Sequence, residues 1–274
     1  FPDSNTPIFF VDLWEPEGTD LRKTRDDTLV VSEFIRNLPG VIQTTAVVGG
    51  PHQRFTLVYD RKESAGVYSQ IIVRTENREQ IPFVWQATEN FMQQEMPWTD
   101  PILKALRIGP GRDAKIEARF SGPNPQILRE LSAKAQVIMR ADSESKDVRD
   151  DWRSPVKVVT PIFNEQVGRQ LGVTRESLGG AMKFAFDGAN AGSYRDGIRV
   201  LPIRLRTADS ERVDIDNMRD VEVWSQVLGR TVPVSQVVNG YATTWENAAV
   251  RSRNRILTII ASCNPTVELA TPLF

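Results

Sequence analysis

The chain has 274 residues, of which 40% are apolar and 25% charged, with 34 Lys and Arg set against 35 Asp and Glu. It is long enough for two or three packed domains, and its net charge of −1 excludes a strong electrostatic pull toward nucleic acid or an anionic membrane. A single cysteine, Cys263, and a single histidine, His52, exclude an internal disulfide, a histidine-based triad and a multi-histidine metal centre.

The apolar run IFFVDLW, residues 8–14, reads as a buried strand. Leu21, Thr28, Val31, Phe34 or Ile35, and Leu38 then recur on one side of a helix, with Thr19 as its expected N-cap and Pro39-Gly40 as its stop. VIQTTAVVG (41–49) is β-branched and strand-like. A long connection over 50–65 carries Phe55 and Tyr59, and is followed by a strand over 66–74, a helix over 78–96, a strand over 102–108 and a GPGRD turn at 109–113.

The order then restarts. Residues 114–122 alternate with a period of two, as a half-buried strand does. Asn124 caps a helix whose first residue is Pro125 and whose expected inner face is Leu128, Leu131, Ala135 and Ile138. Residues 148–163 read as one returning strand, so a strand–helix–strand unit occurs twice, at 8–49 and 114–163. Next, Asn164 caps a short helix ending near Leu171, and Gly172 supplies the left-handed residue that stops it. Thr174 caps a second helix with Glu176 in its first turn, and Val173 and Leu178 have the spacing of a hydrophobic staple. Gly179 and Gly180 are expected to let this helix approach another backbone closely. Residues 192–250 are mostly strand and turn, and RILTIIASC (255–263) is a late apolar strand expected to return to the sheet of the second unit. No window approaches the ~18–20 apolar residues of a membrane helix.

Few residues suggest chemistry. GPGRD and the GANAG at 188–192 lack both the P-loop Lys-Ser/Thr and a strand–GxGxxG–helix setting, so both read as turns. DSESKDVRDDWR (142–153) mixes charge signs like a solvated edge, and its Asp150-Asp151 pair has no partner for acid–base work. Met92 and Met96 are one helical turn apart and could pair as thioethers, but core packing is the more ordinary role for methionine. No metal site, cofactor or enzyme activity is expected.

The run from Asn164 to Gly240 resembles the docking, or funnel, region of resistance–nodulation–division (RND) efflux pumps of the AcrB/AcrD/AcrF type. The matching stretches are LGVTRES, GANAGSYRDGIRVLPIRLR, VEVWS, GRTVPVSQVVNGY and RSRNRILTIIAS, with FP, LPGV and IEARFSGPNPQIL agreeing earlier. The resemblance implies an α+β fold of tandem ferredoxin-like βαβ porter subdomains with an inserted mixed α/β docking subdomain. It implies porter subdomain 1 at 1–112, porter subdomain 2 at 113–160 plus 250–274, and the docking subdomain at 161–249. The Phe1-Pro2 opening and VELATPLF close read as the second large periplasmic loop of a longer inner-membrane protein of a Gram-negative bacterium.

Such pumps are homotrimers that couple proton influx to export through a periplasmic adaptor, or membrane fusion, protein and an outer-membrane channel. The family keeps a mobile loop where residues 50–66 fall, so Phe55, Tyr59, Tyr68 and Gln70 are the implied contacts for amphiphilic small molecules, with pinning of the loop to the core as the plainer role for Phe55 and Tyr59. Gly188, Gly192, Tyr194, Arg195 and Gly197 would form an arm reaching a neighbouring protomer. Residues 187–198 are expected to be extended and poorly packed on their own chain, because the burial partner is another subunit. The shortage of His, Cys and clustered Met favours organic substrates. A heavy-metal or lipid exporter, or a soluble binding module of tandem ferredoxin-like domains, are the alternatives.

Overall fold

In the computed structural model, which describes residues 4–55, 62–107, 109, 114–208 and 215–266, the run IFFVDLW becomes β1 (Ile8–Trp14). Tyr59, most of the GPGRD turn, Phe1-Pro2 and VELATPLF lie outside the described residues. β1 is followed by α1 (Leu21–Arg36), β2 (Val41–Val48), β3 (Tyr68–Thr75), α2 (Ile81–Glu95) and β4 (Asp100–Ala105). The strands pair antiparallel in the order β2-β3-β1-β4, the arrangement of the split βαβ motif. Phe9, Val11 and Leu13 project from one face of β1 into a core with Val31 and Ile35 of α1 and Val84 and Met92 of α2. Phe34 and Phe91 stack at 3.9 Å between ring centroids and join the two helices. Each fully buried side chain of this size contributes roughly 1.5–3 kcal/mol. Met92 and Met96 both belong to this core. The N-cap of α1 is Asp20, which accepts from Arg22 N at 2.7 Å, and not Thr19, whose hydroxyl donates to Pro16 O at 2.7 Å. A carboxylate there answers both the orphan amide and the helix dipole.

A second sheet is built from β5 (Ile116–Ser121), β6 (Ser145–Asp150), β13 (Ser252–Arg253) and β14 (Ile256–Pro265), with α3 (Pro125–Ala141) packed on it. β14 lies between β5 and β6, antiparallel to both, as β3 lies between β1 and β2. The late apolar strand therefore does return to this sheet. α3 buries Leu128 and Ser132, while Leu131 is 37% and Ile138 73% exposed, so its inner face is narrower than the expected one. The expected single strand over 148–163 is two strands, β6 and β7 (Pro155–Phe163), separated by 151–154. The break has a packing cause. Trp152 is fully buried against Leu128 and Ile259, its Nε1 donates to Thr258 O at 2.9 Å, and Arg153 turns through a left-handed φ of +56°. These two sheets make one compact unit, 1–156 with 246–274; residues 157–245 make the other.

In the second unit β7 pairs with β12 (Val238–Asn247). α4 (Glu165–Leu171) and α5 (Arg175–Asp187) meet at Gly172, which caps α4 at φ +66°. The Thr174 hydroxyl accepts from Ser177 N at 3.1 Å and the Thr174 N–H donates to Ser177 Oγ at 2.9 Å, closing a capping box. Val173 and Leu178 then join Phe163, Val223, Val232, Val234 and Val237 in this unit's core. The last four come from β10 (Glu222–Ser225), β11 (Arg230–Pro233) and the turn after β11. Gly179 and Gly180 are not contact glycines: a Cβ on either would meet nothing within 4 Å. The hairpin of β8 (Ala189–Asp196) and β9 (Arg199–Leu205) completes the unit.

Two glycine substitutions should therefore act in opposite directions. Gly172→Ala puts a Cβ at left-handed φ, 3.0 Å from Val227 Cγ2, and is expected to lower unfolding free energy by about 1–2 kcal/mol. Gly179→Ala, in open space on a helix, is expected to raise it by about 0.5–1 kcal/mol. Urea unfolding followed by circular dichroism reads both.

Candidate functional site

The sheet of β1–β4 carries an acid in the middle of its most apolar strand. Asp12 is 0% exposed. Its pairing register sets it opposite Gln70 on β3 and Ile102 on β4. The two-residue period of strands then places Tyr68 and Lys104 diagonally on the same face. All three reach it: Tyr68 Oη and Gln70 Nε2 donate to Oδ1, and Lys104 Nζ donates to Oδ2, each at 2.8 Å. Burial by itself pushes this carboxyl up, but the Lys104 ammonium and the bonds from Lys104, Gln70 and Tyr68 outweigh it and hold Asp12 below the ordinary carboxylate value.

Two of the sequence-predicted contacts, Tyr68 and Gln70, meet at Asp12, and a third, Phe55, stands beside Phe10 and His52. Tyr68 and Gln70 are buried, and Gln70 Oε1 also accepts from His52 N at 2.9 Å. Phe55, half-buried at the end of a short 3-10 turn, packs edge-on against Phe10 at 5.1 Å and lies 5.9 Å from the His52 ring. The network thus ties the start of the 50–66 loop to the sheet. The fourth contact, Tyr59, lies outside the described residues.

A cleft of about 380 Å³ opens in the same unit, between the end of β1 and the turn after α2 on one side and α3 and the β6–β7 turn on the other. Trp14 and Trp98 line it together with several charged groups. Arg153 lies 4.1 Å over the Trp14 ring and forms an ion pair with Glu17 at 2.8 Å. Burial lowers the Arg153 pKa, with the Glu17 carboxylate opposing that shift. Arg129 reaches Asp150 at 3.1 and 3.2 Å, the Arg153 carbonyl at 2.7 Å and Asn247 at 2.7 Å. Arg149 stands 3.9 Å from Asp100. Glu15 on the cleft wall is pushed up to about 7, first by burial and then by the Asp27 carboxylate, with Lys23 opposing. Sequence reasoning missed this cleft and the Asp12 network. The available signals were an Asp inside IFFVDLW and a Lys inside ILKAL, since a charge in a buried strand requires a partner.

The arm residues lie on β8, β9 and their junctions. Every residue of both strands is exposed. Tyr194 faces Leu201 and Arg195 faces Val200 across the hairpin, and Gly197-Ile198 turns it. Gly188 takes φ +81°, and a Cβ there would meet Leu205 O at 2.5 Å.

The family model described as "AcrB/AcrD/AcrF family" matches residues 1–268. The chain belongs to that family of RND transporters. Among solved structures it is similar to two crystal forms of a heavy metal efflux pump. One aligns with TM-score 0.78 at 13% identity, covering 100% of this chain and 29% of that one. The other aligns with TM-score 0.77 at 14% identity, covering 97% and 28%. The likeness shows the α+β fold, and the chain spans under a third of the length of those pumps. A search of curated proteins finds no match. No helix among the described residues is long and apolar enough to cross a membrane.

The Asp12 network has a measurable signature. Asp12→Asn removes the buried charge that Lys104 binds and is expected to cost about 3–5 kcal/mol of stability; adding Lys104→Met should recover most of it. Because the folded pKa of Asp12 lies below its ordinary 3.8, its contribution is present above that value and disappears as pH falls through the folded pKa. Urea titrations from pH 7 to pH 2 should show this acid loss in the native chain and not in the double variant.

Proposed function

We propose that the chain is the second periplasmic loop of a proton-driven RND exporter of amphiphilic organic molecules, and that the cleft of its first unit lies on the substrate path. The observation that carries the organic reading is the cleft wall: two tryptophans among charged groups, with no Met, Cys or His among its described lining residues. Apolar burial is non-directional, so aromatic walls hold varied ligands without fixed hydrogen bonds. Phe55 and Tyr59 are the proposed contacts of the 50–66 loop, with Tyr68 and Gln70 proposed as buried sheet residues that hold the start of that loop. The porter subdomains are assigned to 1–112 and 113–160 with 250–274, and the docking subdomain to 161–249.

The exposed hairpin supports an assembly role. Tyr194, Val200, Leu201 and Ile203 present apolar surface on a two-stranded ribbon, and such ribbons are marginal alone. We assign it to contact with a neighbouring protomer in a homotrimer, with Gly188, Gly192 and Gly197 shaping the arm and Tyr194 and Arg195 on its surface. The whole transporter would then work with an adaptor protein and an outer-membrane channel.

A second reading, export of heavy metals, draws on the pumps whose fold the chain shares. Against it, Met92 and Met96 are committed to the core of the first sheet, and soft thioether ligands must be free to reach an ion. Deletion of the gene in its host, followed by challenge with lipophilic dyes, detergents, copper, silver and zinc, separates the two. Hypersensitivity to the organic compounds is expected. Hypersensitivity confined to the metals would replace this reading with the second.

A further inference from the structure

The first unit carries two apolar cores that share no residue. One belongs to the β1–β4 sheet with α1 and α2, the other to β5, β14 and α3 with Trp152. Among the described residues four ion pairs cross between the two halves: Glu17 to Arg153 at 2.8 Å, Glu63 to Arg251 at 3.6 Å, Glu89 to Lys146 at 3.8 Å and Asp100 to Arg149 at 3.9 Å. In every one the acid comes from the first half and the base from the second. The cleft runs along this junction, with Glu17 and Asp100 on one wall and Arg149 and Arg153 on the other. Two further approaches cross it: Arg153 over the Trp14 ring, and Val156 Cγ2 at 3.6 Å from where a Cβ on Gly18 would lie.

Charges sorted by side act together. Each acid attracts every base opposite as well as its own partner, so the summed field draws the two faces into one arrangement. Taken singly the pairs are weak. Glu17 Oε1, Arg153 Nη1 and both Arg149 Nη atoms are buried without a hydrogen-bond partner among the described residues. They are charge contacts without the directional bonds that make a buried pair strong. Burial pushes the Asp100 carboxyl up with Arg149 opposing, and lowers Arg153 with Glu17 opposing; in both, desolvation outweighs the partner. The Lys146 and Arg251 side chains are 40% and 48% exposed, so dissolved salt reaches their pairs and screens them. Apolar contact has no charge to screen and would not respond in this way.

We propose that the first unit is two separately packed halves docked through this charge-sorted ionic seam, and that ionic strength sets how firmly they close on the cleft between them. Each half keeps its own core when the seam parts, because the cores have no residue in common. The seam is a property of the chain's own opposed charges and does not depend on what the cleft carries.

The test uses the 274-residue chain with the buried Cys263 removed by Cys263→Ala. Donor and acceptor dyes are attached at Glu33→Cys on α1 and Lys134→Cys on α3, both exposed and outside the seam. Energy transfer between the dyes and far-ultraviolet circular dichroism are followed from about 0.01 M to 1 M sodium chloride, over which the Debye length shrinks from about 30 Å to 3 Å. Transfer should fall across that range while the dichroism stays constant. The combined variant Glu17→Gln, Glu63→Gln, Glu89→Gln and Asp100→Asn should show the low transfer already at the lowest salt and no further change. Lys146→Gln with Arg251→Gln, on the opposite side at exposed positions, removes two of the four pairs and should lose about half of the salt response. Transfer unchanged by salt, a combined variant that responds like the native chain, or a fall in transfer matched by a loss of dichroism would overturn the seam. Export is read separately by the gene deletion, so each of those results would leave the transporter reading standing.

Discussion

The buried Asp12 carboxylate is the constraint around which the first sheet is organised. A charge in the middle of an apolar strand costs several kcal/mol unless it is neutralised and hydrogen-bonded. Here β3 supplies Tyr68 and Gln70 and β4 supplies Lys104. A slip of either neighbour by one residue would turn its partner to the opposite face and leave the charge bare. The acid therefore enforces the register of three strands at once, which generic apolar packing of Phe9, Val11 and Leu13 on the other face does not do. Gln70 extends the constraint through its bond from His52 N to the start of the 50–66 loop.

Much of the fold was legible because its signals are local. The strand at 8–14, the helix beginning at Pro125 behind Asn124, the glycine stop at 172 and the Thr174 cap are all set by residues within a few positions of one another. The failures are long-range. Nothing near Trp152 announces that its indole belongs beside Leu128 and Ile259, so the charged RDDWRS stretch reads as a solvated edge and not as a turn anchored in the core. The face of α3 was drawn too wide because periodicity cannot tell a core-facing leucine from one left outside. The Asp20 cap was missed for a milder reason: Thr19 and Asp20 are both good caps, and only backbone geometry decides between them.

The site divides along the same line. Tyr68 and Gln70 were reachable through the family resemblance, but their common partner was not, because cross-strand neighbours lie more than fifty residues away. Glu15 and Asp27 are close in sequence, but the hydrogen bond between their side chains and the shift it puts on Glu15 exist only once α1 folds back on the end of β1. The cleft thus concentrates ionisable groups whose behaviour is decided by burial, while the hairpin of β8 and β9 presents side chains whose behaviour is decided by exposure.

The placement of β14 bears on how the chain is made. Ser121 and Thr258, hydrogen-bonded across β5 and β14, are 137 residues apart in the chain. While the polypeptide is still emerging, β5 and β6 have open edges and no central strand between them, and α3 has only half a sheet to rest on. Closure of such a distant pair is slow and leaves sticky edges bare in the meantime. The first sheet, complete by residue 105, can form during synthesis. The second must wait for the whole of the intervening unit, so its unfinished edges are where a chaperone would be needed during synthesis.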